Sequence, residues 1–241
     1  MESPLQLFCL FLVGLATWSG VTALFSQGSY LVDSQPEGNK LYARLDLSMQ
    51  FANALPFLYV WIESRRARQS SEAEYARIRR LVFVILIAGV GMSVLLASTW
   101  STEVGGVSLC LLFAAFMSGV VGSSSMMVFY PFASLYSSGG LAIVALSSGS
   151  GTCGLLSSVL ALAQGQDQLT PRFSPTYFFL YLIAIQAAGL AAFLLLVSER
   201  PAPADATASA SARPHKPALV PGADRDLESD ADAEAPLAAA F

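Results

Sequence analysis

The sequence predicts an all-α, polytopic membrane protein with six transmembrane helices in one bundle. Of its 241 residues 54% are hydrophobic and only 12% are charged, which is about half the charged share of a soluble domain. Six segments also approach the roughly 20 apolar residues that a helix needs to cross the bilayer. They run over Leu5–Leu24, Leu47–Ile62, Leu81–Ala97, Val107–Tyr130, Leu141–Ala163 and Tyr177–Val197.

The first segment raises the question of a cleaved signal peptide. Neither Lys nor Arg precedes its apolar run, and no clear small-x-small cleavage site follows it. Signal peptides normally carry both features. We therefore expect a retained first helix.

The second and fourth segments are less regular than the other four. The second is short and contains Gln50, Asn53 and Pro56, and the fourth ends at Pro131. Polar residues at membrane depth usually face a bundle interior or a cavity. The second segment is therefore a candidate for lining a site.

Small residues at helical spacing predict close helix packing in the fifth segment. Ser147 and Gly151 are four residues apart, as are Ser150 and Gly154, and such spacing lets backbones approach in lipid. Residues 149–154 also match the dinucleotide-binding pattern G-x-G-x-x-G. That motif requires a preceding strand, which a long apolar helix does not supply, so we interpret these glycines as packing residues.

Basic residues predict the orientation of the chain. The loop between the second and third segments holds Arg65, Arg66, Arg68, Arg77, Arg79 and Arg80. The positive-inside rule makes this loop cytoplasmic, so that both termini are cytoplasmic and the loop Phe25–Asp46 lies outside. Topology explains the arginines, and we predict no nucleic-acid partner.

The chain divides into a membrane domain, residues 1–200, and a tail, residues 201–241. The membrane domain has ten acidic and ten basic residues, whereas the tail has seven acidic and three basic residues. The net charge of −4 therefore belongs to the tail. The tail is rich in Ala, Pro and Asp and has few large apolar residues, which is typical of a disordered segment.

The residues of the predicted spans argue against an enzyme and against a metal or other cofactor. The single histidine, His215, lies in the tail, and Cys9, Cys110 and Cys153 lie in apolar runs without metal-ligand spacing. No ionisable residue lies well inside a span. A neutral ligand, bound by amides, hydroxyls and aromatic rings, fits this interior best.

Two groups of motifs resemble the eukaryotic riboflavin transporters of the solute-carrier class. The first group is Thr17-Trp18, Pro36-Glu37-Gly38 and Gln50-Phe51-Ala52-Asn53 with Pro56. The second is Ser123-Ser124-Ser125, Phe129-Tyr130-Pro131-Phe132, Gly149-Ser150-Gly151, Ala161-Leu162-Ala163-Gln164-Gly165 and Arg172-Phe173-Ser174-Pro175. The resemblance covers nearly all of residues 10–197. It implies the N-terminal half of a two-bundle transporter that moves riboflavin or a similar neutral heterocycle across the plasma membrane.

The resemblance and the polar interior together predict seven substrate-binding residues. Trp18 and Phe129 are candidates for stacking on a flat ring, although each is also explained as a packing or interfacial aromatic. Hydrogen-bonding candidates are Thr22, Gln27, Gln50, Asn53 and Ser124. Gln50 and Asn53 are favoured because residues three apart share a helix face.

The chain departs from the family pattern in two ways. Gln27-Gly28-Ser29 replaces a Glu-Leu-Pro, and Gly149-Ser150-Gly151 replaces a Gly-Glu-Gly, so two carboxylates are lost. Family members have about eleven helices, whereas six are predicted here. A complete site then requires a homodimer, a second half-transporter chain or a longer gene product. The alternative is a truncated or degenerate relative that does not transport and acts in regulation or assembly.

Overall fold

The computed structural model describes residues 3–65, 71–136, 140–165 and 171–199. Arg66, Arg68 and the tail that we predict to be disordered lie outside these residues. The described residues form eight α-helices and one 3-10 turn, Gly38–Lys40. The helices are α1 (Pro4–Ser26), α2 (Gly28–Ser34), α3 (Leu41–Ala52), α4 (Ala54–Ser64), α5 (Ser71–Thr99), α6 (Leu109–Ser134), α7 (Leu141–Gln164) and α8 (Pro175–Ser198).

Five described helices are long and apolar enough to cross a membrane: α1, α5, α6, α7 and α8. They correspond to five of the six predicted segments, and the all-α membrane class is confirmed. The second segment is instead divided at Asn53 into α3 and α4, which have 12 and 11 residues. Neither half alone has the roughly 20 residues that a span needs.

Three predicted boundaries were wrong. The loop assigned to Phe25–Asp46 contains α2 and the first half of α3, and Arg77, Arg79 and Arg80 belong to helix α5 instead of the preceding loop. Helix α6 continues through Pro131 to Ser134. In the first two cases the apolar run marks the stretch that suits hydrocarbon, whereas the helix continues into polar sequence. In α6 the helix continues past Pro131 because Phe132 and Ala133 are buried in the core.

Helix α1 lies at the centre of the bundle, in contact with α5, α6, α7 and α8. Its buried residues cover most of its circumference and include Leu10, Val13, Ala16 and Leu24. A helix that is apolar all round is typically surrounded by others. Helices α3 and α4 pack instead against α6.

Glycines bring α7 and α1 into backbone contact. A Cβ atom built on Gly14 would lie 2.0 Å from the carbonyl oxygen of Leu146, and one built on Gly149 would lie 2.0 Å from that of Phe11. At such distances a side chain at either position would require the two backbones to move apart. The G-x-G-x-x-G stretch thus lies inside a helix, and its first glycine is a packing residue.

The directions of neighbouring helices follow from their contacts. Thr17, Thr22 and Gln27 meet Ser150, Ser157 and Gln164 in the same order along the chain, so α1 and α7 are parallel.

Helices α3 and α6 are also parallel. The Ser48 hydroxyl donates to the Leu112 carbonyl at 2.8 Å, and farther along both helices Ala52 contacts Gly119.

Candidate functional site

A row of hydroxyl and amide side chains joins α1 to α7, and we call it the polar seam. It consists of the pairs Thr17–Ser150, Thr22–Ser157 and Gln27–Gln164, whose side-chain polar atoms are 3.0, 3.1 and 2.7 Å apart. Hydrogen bonds between helices in lipid contribute about 0.6 to 2 kcal/mol each. The seam therefore supplements the glycine contacts along the same interface.

Gln27 occupies the last position of the seam. Its side chain is fully buried, and its Nε2 donates to Oε1 of Gln164, whose own Nε2 donates to the Phe173 carbonyl at 2.9 Å. Oε1 of Gln27 has no hydrogen-bond partner among the described residues. A buried acceptor without a donor costs about 1 to 3 kcal/mol, so this oxygen would gain from a donor that approached it.

Trp18 and Thr22 lie one turn apart on α1, and both are half-buried. The Thr22 hydroxyl lies 3.2 Å from the Trp18 carbonyl, 3.1 Å from the Ser19 carbonyl and 3.1 Å from the Ser157 hydroxyl. These contacts occupy its single proton. A ligand would therefore meet Thr22 as an acceptor more readily than as a donor.

Gln50 and Asn53 lie together at the break between α3 and α4, and both are exposed on the bundle. Asn53 Nδ2 donates to Gln50 Oε1 at 2.7 Å, and Gln50 Nε2 donates to Asp46 Oδ1 at 3.3 Å. Each amide therefore keeps hydrogen-bonding capacity directed away from the protein.

Two glycines of α6 bring Trp18 and this break to the same depth. A Cβ atom on Gly122 would lie 3.5 Å from the Trp18 ring, and one on Gly119 would lie 2.9 Å from the Ala52 Cβ. Gly119 and Gly122 are about 4.5 Å apart along the middle of α6. We call this depth, halfway along α6, the mid-bundle level.

The remaining two predicted contacts lie on α6. Ser124 is half-buried. Phe129 is 1% exposed and belongs to the hydrophobic core together with Phe132 and Phe193. A ligand could reach Phe129 only if that core opened. The seven candidates thus form separate groups, on α1, at the α3–α4 break and on α6, and no hydrogen bond or ring contact between described residues joins the groups.

Two buried polar residues were not among the predicted contacts. Gln186 of α8 is fully buried, and its Nε2 donates to the Ala16 carbonyl at 2.9 Å and to the Ser19 hydroxyl at 3.1 Å. Its Oε1 has no partner in the described part of the chain. As an amide within an apolar run, Gln186 is marked by the sequence as a residue that faces the bundle interior or a cavity, although it was not predicted as a substrate contact.

Glu37 is the second such residue, and the Pro-Glu-Gly motif was its signal. Its side chain is fully buried, and the Ser108 backbone N–H and hydroxyl lie 2.7 and 2.9 Å from its two oxygens. Burial raises the pKa of this carboxyl, but the bonds from Ser108 and the charge of Arg44 outweigh burial and bring the pKa below its ordinary value. Glu37 therefore ties the segment before α3 to the start of α6.

Comparisons with known proteins identify the family of the chain. Residues 3–170 match the family described as "Solute carrier family 52, riboflavin transporter". The chain belongs to this family. Its members are solute carriers, not enzymes.

Several curated members of solute carrier family 52 are similar to this chain over most of its length. It is 32% identical to "Riboflavin transporter 2" of Salmo salar over 226 residues, which cover 79% of this chain and 47% of that one. It is 29% identical over 168 residues to "Solute carrier family 52, riboflavin transporter, member 3" of Homo sapiens, covering 68% and 34% of the two chains. The chain thus spans about half the length of the curated relatives it matches, or less. No solved structure matches it.

Proposed function

We propose that this chain forms the N-terminal bundle of a riboflavin transporter of the plasma membrane. The observation that carries the proposal is the exposed amide pair, Gln50 and Asn53, at the mid-bundle level. Exposed polar groups at membrane depth are costly against lipid. Substrate sites of two-bundle transporters lie at this depth, at breaks in helices.

Six spans are part of the proposal, with α3 and α4 together forming the second. Since α1 and α7 are parallel, an odd number of crossings must separate them. Helices α5 and α6 supply two, so α3–α4 must supply the third. The parallel packing of α3 against α6 supports the same scheme, because the second and fourth spans then run in one direction.

The chemistry of the mid-bundle level suits riboflavin. Its flat ring system presents carbonyl and imide groups, and its ribityl chain presents hydroxyls. The amides of Gln50 and Asn53 can donate to and accept from such groups. Trp18, half-buried at the same depth, offers an aromatic face for the ring. The names of the relatives favour riboflavin over other flat heterocycles.

A second bundle completes the site in this proposal, and we assign that role to a second copy of the chain. The exposed face around the amide pair also carries Phe51 and Phe57, which are 67% and 77% exposed. A partner that covers both rings would close the site from the lipid side. The cytoplasmic orientation of both termini follows from the arginines at the start of α5.

A non-transporting role is the alternative, and one contact favours it. Ser150, where the family has a glutamate, donates to the Gly14 carbonyl at 3.1 Å and lies within the polar seam. The Ser150 side chain therefore takes part in the packing of α7 against α1. A relative that no longer binds substrate is expected to have such a packing residue in place of the glutamate.

Uptake of labelled riboflavin by cells expressing only this chain tests the proposal. We expect saturable uptake that Asn53→Ala reduces at unchanged surface level. The matched control is Asn39→Ala, which removes an exposed amide from the 3-10 turn and should leave uptake unchanged. If the protein reaches the surface, forms a dimer there and still gives no uptake, transport by this chain is contradicted and the non-transporting alternative is favoured.

A further inference from the structure

A cleft between α5 and α8 opens at the end of the bundle that carries the arginines of α5. Its volume is about 290 Å³. The residues that define it are Arg79, Arg80 and Phe83 of α5 and Phe193, Leu194 and Val197 of α8. The two phenylalanine rings lie side by side with centroids 6.3 Å apart, so the cleft has an aromatic floor and a cationic rim.

The cleft lies across the boundary between polar and apolar sequence. On α5, an uninterrupted apolar stretch begins at Leu81, directly after Arg80. On α8, the apolar stretch ends at Val197 and is followed by Ser198. Along a helix the distance from Arg80 to Phe83 is about 4.5 Å. A molecule in the cleft would therefore contact arginine at headgroup depth and apolar side chains at hydrocarbon depth.

The two arginines of the rim have no acidic partner at ion-pair distance in the described part of the chain. Arg77, on the same turn, forms an ion pair with Glu63. Arg79 and Arg80 are exposed and make no ion pair with any described residue. None of the residues that line the cleft is acidic. Among the described residues, the rim thus holds two arginines without an ion-pair partner, and the Arg79 guanidinium lies 6.0 Å from the centroid of the Tyr75 ring.

We propose that this cleft binds one anionic phospholipid of the adjoining leaflet. The guanidinium groups of Arg79 and Arg80 bind the phosphate and the headgroup charge, since arginine presents paired N–H groups that match phosphate oxygens. The acyl chain lies against Phe83 and Leu194, which are 37% and 51% exposed. The apolar floor selects a lipid over a soluble anion, because a free phosphate would leave it empty.

Binding of dioleoyl phosphatidylglycerol to the purified full chain, followed by native mass spectrometry, tests this site. Dioleoyl phosphatidylcholine is the uncharged comparison. We expect tighter binding of phosphatidylglycerol, and weakening by added salt because the contact is electrostatic. Equal binding of the two lipids to the wild-type chain, or binding that added salt does not change, would overturn the proposal.

Variants then locate the site. Arg79→Gln and Arg80→Gln should each weaken phosphatidylglycerol binding about fivefold, and the double variant about 25-fold, from the usual contribution of a basic residue near an anionic surface. The matched control is Arg65→Gln, which removes an exposed arginine after α4 that stacks on Trp61 and does not line the cleft. It should leave binding unchanged. An equal loss with Arg65→Gln would mean general surface attraction and would contradict the assignment.

A soluble competitor separates a lipid from a free anion. Glycerophosphoglycerol carries the headgroup without acyl chains. We expect no displacement of phosphatidylglycerol at millimolar concentration. Displacement at the concentration of the lipid itself would show that the apolar floor contributes nothing, and would overturn the proposal of a lipid site. If a glutamine variant fails to fold, Arg79→Lys keeps the charge and removes the paired N–H groups, and should weaken binding less.

Discussion

The amide nitrogen of Asn53 lies 2.7 Å from the amide oxygen of Gln50, at the point where α3 ends and α4 begins. Both side chains are exposed, and the pair lies halfway along the bundle. Each amide orients the other, so the pair acts as one unit.

Gln50→Ala and Asn53→Ala should raise the KM for riboflavin by similar factors, and the double variant should be little worse than either. The reason is that groups acting as a unit are not additive. Uptake kinetics at matched surface expression measure the effect. Fully additive losses would mean that the two amides act separately, and an unchanged KM in all three variants would remove both from the site.

The glycines of the G-x-G-x-x-G stretch should differ sharply in their tolerance of alanine. Gly149→Ala would place a methyl group against the backbone of α1, and overpacking costs about 1 to 3 kcal/mol. Gly151 faces open space, so Gly151→Ala should be neutral or stabilise by about 1 kcal/mol or less. Thermal unfolding of the purified chain in detergent measures both. Equal tolerance at the two positions would contradict the contact between α1 and α7.

The lowered pKa of Glu37 predicts a loss of stability in acid. A carboxyl whose pKa is lower in the folded state stabilises the fold above the unfolded-state pKa, and this contribution is lost as the pH falls through the folded-state pKa. The Tm of the wild type should therefore fall between about pH 5 and about pH 3 more than the Tm of Glu37→Gln. Glu37→Gln should already be less stable at neutral pH, because a neutral amide binds the Ser108 groups more weakly.

A control variant separates this effect from general acid denaturation. Glu103→Gln removes an exposed carboxylate from the segment between α5 and α6. Its Tm should follow the wild type over the whole pH range. If Glu37→Gln behaves in the same way, the contact between Glu37 and Ser108 does not stabilise the fold.

Six spans predict that the two ends of the α3–α4 segment face opposite sides of the membrane. In a background with Cys9, Cys110 and Cys153 replaced by alanine, Asn39→Cys should react with an impermeant maleimide added outside intact cells. Arg65→Cys should react only after permeabilisation. Labelling of both from one side would mean that α3–α4 does not cross, and would leave five spans.

The sequence predicted the membrane class and five spans, because an apolar run of sufficient length has few other structures available to it. It did not predict the contacts of α1. That helix is apolar on every side, so no periodicity indicates which face meets which neighbour. The sequence also predicted Gln50 and Asn53 as neighbours, since they are three positions apart on a helix, but not their exposure on the bundle.

What the sequence determined by itself is therefore the fold class, the approximate spans and the family resemblance, all of which depend on composition and order along the chain. Only the tertiary structure decided that Gln27 meets Gln164, 137 residues away, and that Trp18 and the α3–α4 break share one depth. The second relation depends on the packing of α1 and α3 against α6. The first depends on α1 and α7 packing in parallel with their backbones in contact. That packing is decided by shape at Gly14 and Gly149, where any side chain would collide with the opposing backbone.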